Sequence, residues 1–301
     1  MTIEEILNSS MTAEEKISAL MNKTVTVPAW QGEHGLESEY NPLKHPVMNS
    51  NIYQDIVTSD GVKRVTRVPL PFQKLAAKRM TELVTGIPVR RVYKPKNDKQ
   101  KEVAAFLESV YDRCRIDSVN VDRFNRLYAG CEIMTLWYAV EQPNTLYNGL
   151  RSEIKLRCRT FSPMLDDYLY PLFDEYGDMI AMSISYQRKV GKNTVRYFDC
   201  YTADRHVKWS NEEGDMTEVE NERITIGKIP AIYASREKPI WDDTSNMVYE
   251  MEWSLSRNGN YLRENSKPLF AVFADEQISY GDEKDGDKEF VGWYSEASLA
   301  Q

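Results

Sequence analysis

The 301-residue chain is 42% hydrophobic and 11% aromatic, which supplies a buried core and excludes a wholly disordered protein. Its 38 Lys and Arg face 46 Asp and Glu, for a formal charge of −8. This balance argues against a protein that grips nucleic acid over its whole surface, because such binding needs an excess of cations. No apolar run is long enough to cross a bilayer and the acidic start does not resemble a signal peptide, so we predict no membrane association.

Residues 1–60 are expected to form an N-terminal helix and an extended arm. Residues 3–22 have the apolar spacing of a short amphipathic helix, and Thr12 has the sequence context of a second helix N-cap. Residues 24–60 contain Pro28, Pro42 and Pro46 and show no clear periodicity. We therefore expect an arm or loop in this region.

Three helices are predicted in the next part of the chain. The first begins at Pro71 and ends at Gly86, because Pro88 prevents its continuation. Its expected apolar stripe consists of Phe72, Leu75, Ala76, Met80, Leu83 and Val84. A strand is expected from Val89 to Tyr93, followed by helices over residues 98–113 and 119–130.

The sequence then changes to β-structure. A β-rich run covers residues 132–143, and residues 153–161, 179–189 and 194–202 alternate with period two between turn sequences. Residues 224–235 predict one more strand pair, or one strand bent at Gly227 and Pro230. Helices followed by a meander of antiparallel strands indicate the α+β class.

The sequence offers little that suggests catalysis. His34, His45 and His206 lack the clustered spacing of a zinc site, and the four cysteines predict buried, reduced thiols. Phosphate-loop, dinucleotide-binding and nucleophile-elbow motifs are absent from the sequence. We predict no catalytic residues, no cofactor-binding residues and no metal ligands, and we expect that the protein is not an enzyme.

Three charged segments allow more than one interpretation. The acidic residues 280–289 could suggest a calcium loop, but their spacing favours a hairpin tip at Asp285 and Gly286. The basic residues 90–101 could contact phosphates or an acidic partner, and a solvated turn is the favoured interpretation. The acidic pairs Asp166/Asp167 and Asp242/Asp243 could hold magnesium in a nuclease.

A long helix is predicted from Ser245 to about Glu264. Residues 242–245 are expected to supply its N-cap and favourable negative charges. Val248, Leu255 and Leu262 recur every seven residues, and Met247 and Met251 widen this stripe. Such a recurrence predicts a packing seam against a neighbouring helix. A β-hairpin is expected over Leu269–Tyr294.

The order of these parts resembles the portal proteins of tailed bacteriophages, in the branch typical of siphophages. Three segments carry the resemblance: "KLAAKRMTELVTGIPVRRVY", "LYPLFDEYGDMIAMSISYQRK" and "IGKIPAIYASREKPIWDDTSNMVYEMEWSLSRNGNYLRE". Together the similar parts extend over about residues 60–301. The last segment, with its Gly-x-Ile-Pro strand, acidic pair and long helix, is the most similar.

The resemblance implies a structural subunit of a dodecameric ring at one capsid vertex, through which double-stranded DNA is packaged and ejected. It implies a wing-like α+β domain over residues 61–243, a stem-like helix over 244–267 and a clip-like hairpin with the C-terminal end over 268–301. The implied partners are the terminase packaging motor, the capsid and head-completion proteins. The implied location is the virion, with host cytoplasm during assembly. Relative to the family, we expect that a second stem helix, a tunnel loop and a crown are missing after Gln301.

Two other functional classes remain open from the residues alone. The α+β domain could belong to a metal-dependent nuclease or another DNA-processing enzyme that uses the acidic pairs. It could also belong to a binding or structural protein that forms no ring.

An acidic surface suits a tunnel wall, because a wall that attracted phosphates would hold the DNA.

Overall fold

The computed structural model of the protein describes residues 2–23, 25–59 and 61–266. The chain divides into two units, Met1–Ser256 and a second that begins at Arg257. Seven α-helices and antiparallel sheets occupy the described residues, which confirms the α+β class. The hairpin expected over Leu269–Tyr294 lies outside the described residues.

Two short helices at the N-terminus, α1 (Ile3–Asn8) and α2 (Ala13–Leu20), replace the single helix expected over residues 3–22. Each begins with a capping box: Thr2 pairs with Glu5, and Thr12 pairs with Glu15. The predicted cap at Thr12 is therefore confirmed, and it starts a separate helix.

The arm that follows is more ordered than expected. Helix α3 (Leu36–Tyr40) is followed by two single 3₁₀ turns, Pro42–Lys44 and Pro46–Met48. Strands β1 (Ile56–Thr58) and β2 (Gly61–Lys63) then pair in a small antiparallel ladder. Proline at the first position of each 3₁₀ turn costs no hydrogen bond, because that N–H has no intrahelical partner.

The three predicted helices are confirmed within three residues of their expected ends as α4 (Phe72–Thr85), α5 (Asp98–Cys114) and α6 (Ile116–Gly130). The Asn97 side chain accepts a hydrogen bond from the Gln100 N–H and caps α5. The strand expected from Val89 to Tyr93 is wrong, since this segment is described and joins no sheet.

The predicted apolar stripe of α4 is also wrong as a description of its buried face. The helix buries Gln73, Ala77 and Thr81 and leaves Leu75 and Leu83 exposed. Small and polar side chains let α4 approach α6 closely. Met80 of the predicted stripe packs against the core, whereas Phe72, Leu75, Leu83 and Val84 are exposed.

Two antiparallel sheets form the β-part. The first contains β3 (Glu132–Tyr147), β4 (Leu150–Phe161) and β10 (Ala231–Ser235), in the order β10-β3-β4. Strand β3 is longer than expected, with a register shift between Glu141 and Thr145. Only one strand forms in residues 224–235.

The second sheet is a five-stranded meander in chain order, which confirms the predicted topology. Its strands are β5 (Tyr168–Phe173), β6 (Met179–Val190), β7 (Asn193–Thr202), β8 (Arg205–Ser210) and β9 (Thr217–Arg223). The strands predicted from period-two alternation do not include β5, which contains Pro171. Proline fits there because β5 is an edge strand.

Both faces of the meander are covered. One face packs against the three-stranded sheet through a core that includes Met134, Phe161, Leu169, Met182 and Ile184. The opposite face packs against α1 and α2, through side chains that alternate along β7 and β8: Phe198, Cys200, Val207 and Trp209. Because successive side chains of a strand point to opposite faces, the strands of the meander contribute to a core on each side of the sheet.

Helix α7 (Ser245–Asn265) completes the described fold. Its predicted extent is confirmed, but its expected cap is not. The Thr244 hydroxyl donates to the Trp241 carbonyl, and Asp242 pairs with Lys238.

Candidate functional site

Helix α7 is anchored through a buried charged residue. Glu252 and His45 are both fully buried, and Nδ1 of His45 lies 2.6 Å from Oε1 of Glu252. The other ring nitrogen of His45 faces the Glu39 carbonyl oxygen at 2.8 Å, so it must carry a proton. Oε1 of Glu252 also accepts a hydrogen bond from the Leu70 N–H at 2.6 Å. Both ring nitrogens of His45 therefore lie within hydrogen-bond distance of oxygen atoms.

Further polar contacts hold the arm against the same helix. Ser256 Oγ accepts a hydrogen bond from the Val68 N–H at 3.0 Å. The Glu39 carboxylate accepts from Trp241 Nε1 at 2.8 Å and from the Ser245 hydroxyl at 2.7 Å. Residues 39–70 therefore cover the first three turns of α7. We call this set of contacts, centred on Glu39, His45 and Glu252, the arm–helix anchor.

The anchor divides α7 into a covered face and an open face. The buried residues are Val248, Glu252 and Ser256, spaced four apart. Met247 is 68% exposed, and Met251 and Leu255 are also exposed. In the second unit, Tyr261 and Leu262 are exposed as well. Val248 thus serves an intramolecular contact, whereas the other apolar residues of the predicted seam remain uncovered.

A second exposed apolar region lies at the end of α4. Ile87 is 85% exposed, and Leu83 and Val89 are also mostly exposed. A shallow groove of about 230 Å³ passes between this segment and α6, and it is lined in part by Val84, Ile87, Val89 and Val121. Contiguous apolar surface of this kind marks interaction sites more often than isolated exposed residues do. We call it the α4–α6 apolar surface.

Two of the basic residues in the segment 90–101, Arg91 and Lys101, are paired within the chain. Arg91 binds Glu108 at 3.2 Å and lies over the Tyr111 ring at 4.8 Å from its centroid. Lys101 pairs with Asp98 inside α5. Arg91 therefore ties the 87–95 segment to α5, which explains why that segment needs no partner strand.

The acidic pairs do not assemble a metal site. Asp166 is exposed in a left-handed turn and accepts a hydrogen bond from Gln31, whereas the side chain of Asp167 is buried. Burial raises the pKa of Asp167, which accepts from the Ser162 N–H and lies 3.6 Å from Arg188. Among residues 2–23, 25–59 and 61–266, no three His, Cys, Asp or Glu side chains converge as metal ligands.

The histidines and cysteines have separate environments. His34 is exposed, His45 belongs to the anchor, and His206 stacks on Tyr201 at a centroid distance of 4.3 Å. Burial raises the pKa of both Cys131 and Cys200 to about 11. Those two thiols are therefore protonated and unreactive at neutral pH.

Sequence reasoning missed the anchor entirely. The local pattern does not distinguish Glu252 from the other charged residues of the long helix, or His45 from the other residues of the irregular arm. The spacing of Val248, Glu252 and Ser256 is that of one helix face. Because two of the three residues are polar, the hydrophobic pattern does not identify this face as buried. Their partners come from about two hundred residues earlier, which no local pattern reveals.

A sequence model of the family described as "Phage portal protein, SPP1 Gp6-like" matches residues 35–295. No curated protein matches the chain. In the described part of the chain, every helix is too short or too polar to cross a bilayer.

Proposed function

Because the chain belongs to the phage portal protein family of the SPP1 Gp6-like type, we propose that it is one subunit of a ring at a capsid vertex. DNA would enter and leave the capsid through this ring during packaging and ejection. The observation that carries the proposal is the family match over most of the chain. The exposed apolar face of α7 and the α4–α6 apolar surface support it, because head-to-tail subunit contacts need two distinct surfaces.

The parts of the ring are proposed from the same match. Residues 61–243 would form the wing, the helix over 244–267 a stem element, and residues 268–301 the clip. The arm–helix anchor would then fix the angle at which the stem helix leaves the wing. A ring of twelve subunits is the expected assembly.

The proposed partners follow from that position. The terminase motor would dock on the ring during packaging, and head-completion proteins would replace it. The subunit itself would carry no catalysis and would assemble with the capsid in the host cytoplasm. Double-stranded DNA would pass without sequence-specific contacts, which suits the net charge of −8.

The test is the assembly state of the purified protein. Size-exclusion chromatography with light scattering and negative-stain images should show rings or large closed oligomers. A monomer at every protein concentration would contradict the proposal. Magnesium-dependent DNA cleavage that is lost in Asp166→Ala/Asp167→Ala would instead favour a nuclease.

A further inference from the structure

A polar cleft between the two sheets has no part in the proposed ring. It encloses about 550 Å³ and opens between β3 and β4 on one side and β7, β8 and β9 on the other. Its lining combines charged and aromatic side chains, and the rings of Tyr138, Phe161, Tyr186 and Tyr201 are among the aromatic ones. Small-molecule and side-chain sites commonly have this size and this mixture of aromatic and polar groups.

Asp199 lies at the floor of this cleft with half of its carboxylate unused. The residue is only 4% exposed, and Oδ2 accepts a hydrogen bond from the Tyr186 hydroxyl at 3.0 Å. Oδ1 is buried and has no hydrogen-bond partner among the described residues. A buried carboxylate oxygen without a donor is costly. Its position in the lining of an open cleft points to a donor from outside.

A second unused acceptor lies beside it. His206 stacks flat on Tyr201, and its Nε2 is buried without a partner among the described residues. Burial lowers the pKa of His206, so the ring is neutral at pH 7. With the proton on Nδ1, Nε2 is an acceptor. The cleft therefore offers Asp199 Oδ1 as an acceptor and, in the tautomer with Nδ1 protonated, a second acceptor on the neighbouring strand.

Two of the three basic side chains in the lining of the cleft, Lys208 and Arg159, are engaged with other groups. Lys208 Nζ lies 3.1 Å from Glu220 Oε1. The Arg159 guanidinium lies over the rings of Phe161 and Tyr186, at 4.8 and 5.6 Å from their centroids. These contacts also show that the aromatic walls accept a planar cation. The other charged residues in the lining are Glu222 and Arg223.

From these contacts we propose that the Asp199 cleft binds a guanidinium group, presented by an arginine side chain of a protein partner or by a free guanidinium compound. A guanidinium supplies several N–H donors in one plane, which suits Asp199 Oδ1 and the adjacent imidazole nitrogen. Its flat faces stack on aromatic rings, which an ammonium group does less well, and the Tyr138 ring in the lining is exposed. An anion would instead meet the buried carboxylate of Asp199 and be repelled.

Isothermal titration calorimetry on the whole protein at pH 7.5 tests this proposal with three probes. N-acetyl-arginine methylamide represents the side-chain source, agmatine represents the free compound, and N-acetyl-citrulline methylamide is the neutral isostere. We expect saturable one-site binding of at least one guanidinium probe and none of the citrulline probe. Tighter binding of the arginine amide would assign the protein source, and tighter binding of agmatine the free compound.

Two variants and one control locate the binding. Asp199→Asn should raise the Kd of the guanidinium probe at least about tenfold, because the charge–charge attraction between carboxylate and guanidinium is lost. The exposed charge-matched control Glu212→Gln should bind as the wild type does. Arg159→Met should strengthen binding severalfold by removing a like charge, and it decides the question if Asp199→Asn fails to fold by circular dichroism.

The proposal would be overturned if neither guanidinium probe shows saturable binding, or if the citrulline probe binds as tightly as the guanidinium probes. It would also be overturned if folded Asp199→Asn binds the guanidinium probe as tightly as Glu212→Gln does. Weaker binding in Arg159→Met would also overturn it, since that result indicates a ligand held by Arg159. The outcome is independent of ring formation, because the cleft lies within one subunit.

Discussion

Single buried polar residues carry much of the specificity of this fold. The arm–helix anchor places a histidine and a glutamate out of contact with water, where each depends on the other. Such a pair adds little net stability over an apolar pair of similar shape, but loss of one partner is costly. The anchor therefore fixes one arrangement of arm and helix and excludes others in which these groups are unpaired.

We predict that Glu252→Ala destabilises the folded protein by about 3 to 5 kcal/mol, because His45 and the Leu70 N–H both lose their acceptor. Urea unfolding followed by circular dichroism measures the free energy of unfolding. Glu250→Ala, an exposed residue on the same helix, is the control and should change it by less than about 0.5 kcal/mol. If both variants change the free energy of unfolding by the same small amount, the anchor is not formed.

Asp199 gives a prediction about pH. Burial raises its pKa from the ordinary 3.8 to about 6, so the folded state holds this proton more tightly than the unfolded chain. Its contribution is fully present below about pH 3.8 and is lost as the pH rises through about 6. Relative to Asp199→Asn, the wild type should lose on the order of 2 to 3 kcal/mol between pH 4 and pH 7.

The measurement is the free energy of unfolding of both proteins at several pH values. The difference between them should change with pH, whereas the difference between wild type and Glu212→Gln should change much less. A difference between wild type and Asp199→Asn that does not vary with pH would mean that the Asp199 carboxyl is solvated in the folded protein.

The helices show how apolar pattern and burial can disagree. In α4 the small residue Ala77 is fully buried, whereas Leu75 on the adjacent face is exposed. Close helix packing favours small side chains, and this leaves the larger ones for surfaces that other molecules can cover. The sequence pattern correctly predicted the helix and wrongly predicted which side faces the core.

We predict that Ala77→Leu destabilises the protein by about 1 to 3 kcal/mol, because α4 and α6 leave no room for three more carbon atoms. Lys78→Leu adds an apolar side chain at the exposed neighbouring position and should leave the free energy of unfolding nearly unchanged. Thermal and urea unfolding test both. Similar effects of the two substitutions would show that α4 faces the core differently.

The elements that the sequence predicted well share a physical basis. Helices α5 and α6 and the strands of the meander are set by local periodicity, capping residues and turn sequences, which are all visible within short windows. The strand expected at Val89 and the seam expected through Val248 depend instead on distant residues. Arg91 binds Glu108 of α5, and Val248 is buried within the chain, so tertiary contacts override the local pattern.

At the scale of the whole molecule, the exposed apolar residues argue for association. Met251 and Leu255 lie on α7 within the first unit, and both are solvent-exposed in the isolated chain. If these residues pack against neighbouring subunits, replacing them should affect assembly without affecting the fold. This separates a role in assembly from a role in stability.

We therefore predict that Met251→Lys/Leu255→Lys abolishes large oligomers while the free energy of unfolding of the subunit changes by less than about 1 kcal/mol. Light scattering and negative-stain images report the assembly, and circular dichroism reports the fold. Glu250→Lys introduces the same charge at another exposed position of α7 and should assemble normally. Intact rings from the double variant would remove this face of α7 from the subunit interface.

The contact between the first two helices and the meander has a consequence for synthesis. Ile6 and Leu7 are buried against β7 and β8, which lie about two hundred residues later in the chain. At ribosomal speeds of about 5 to 20 residues per second, the N-terminal segment waits roughly 10 to 40 seconds before its partners emerge. His45 waits equally long for Glu252. During translation the nascent chain thus displays apolar segments that a chaperone could hold, and this unit cannot complete its folding before β7, β8 and Glu252 have been synthesised.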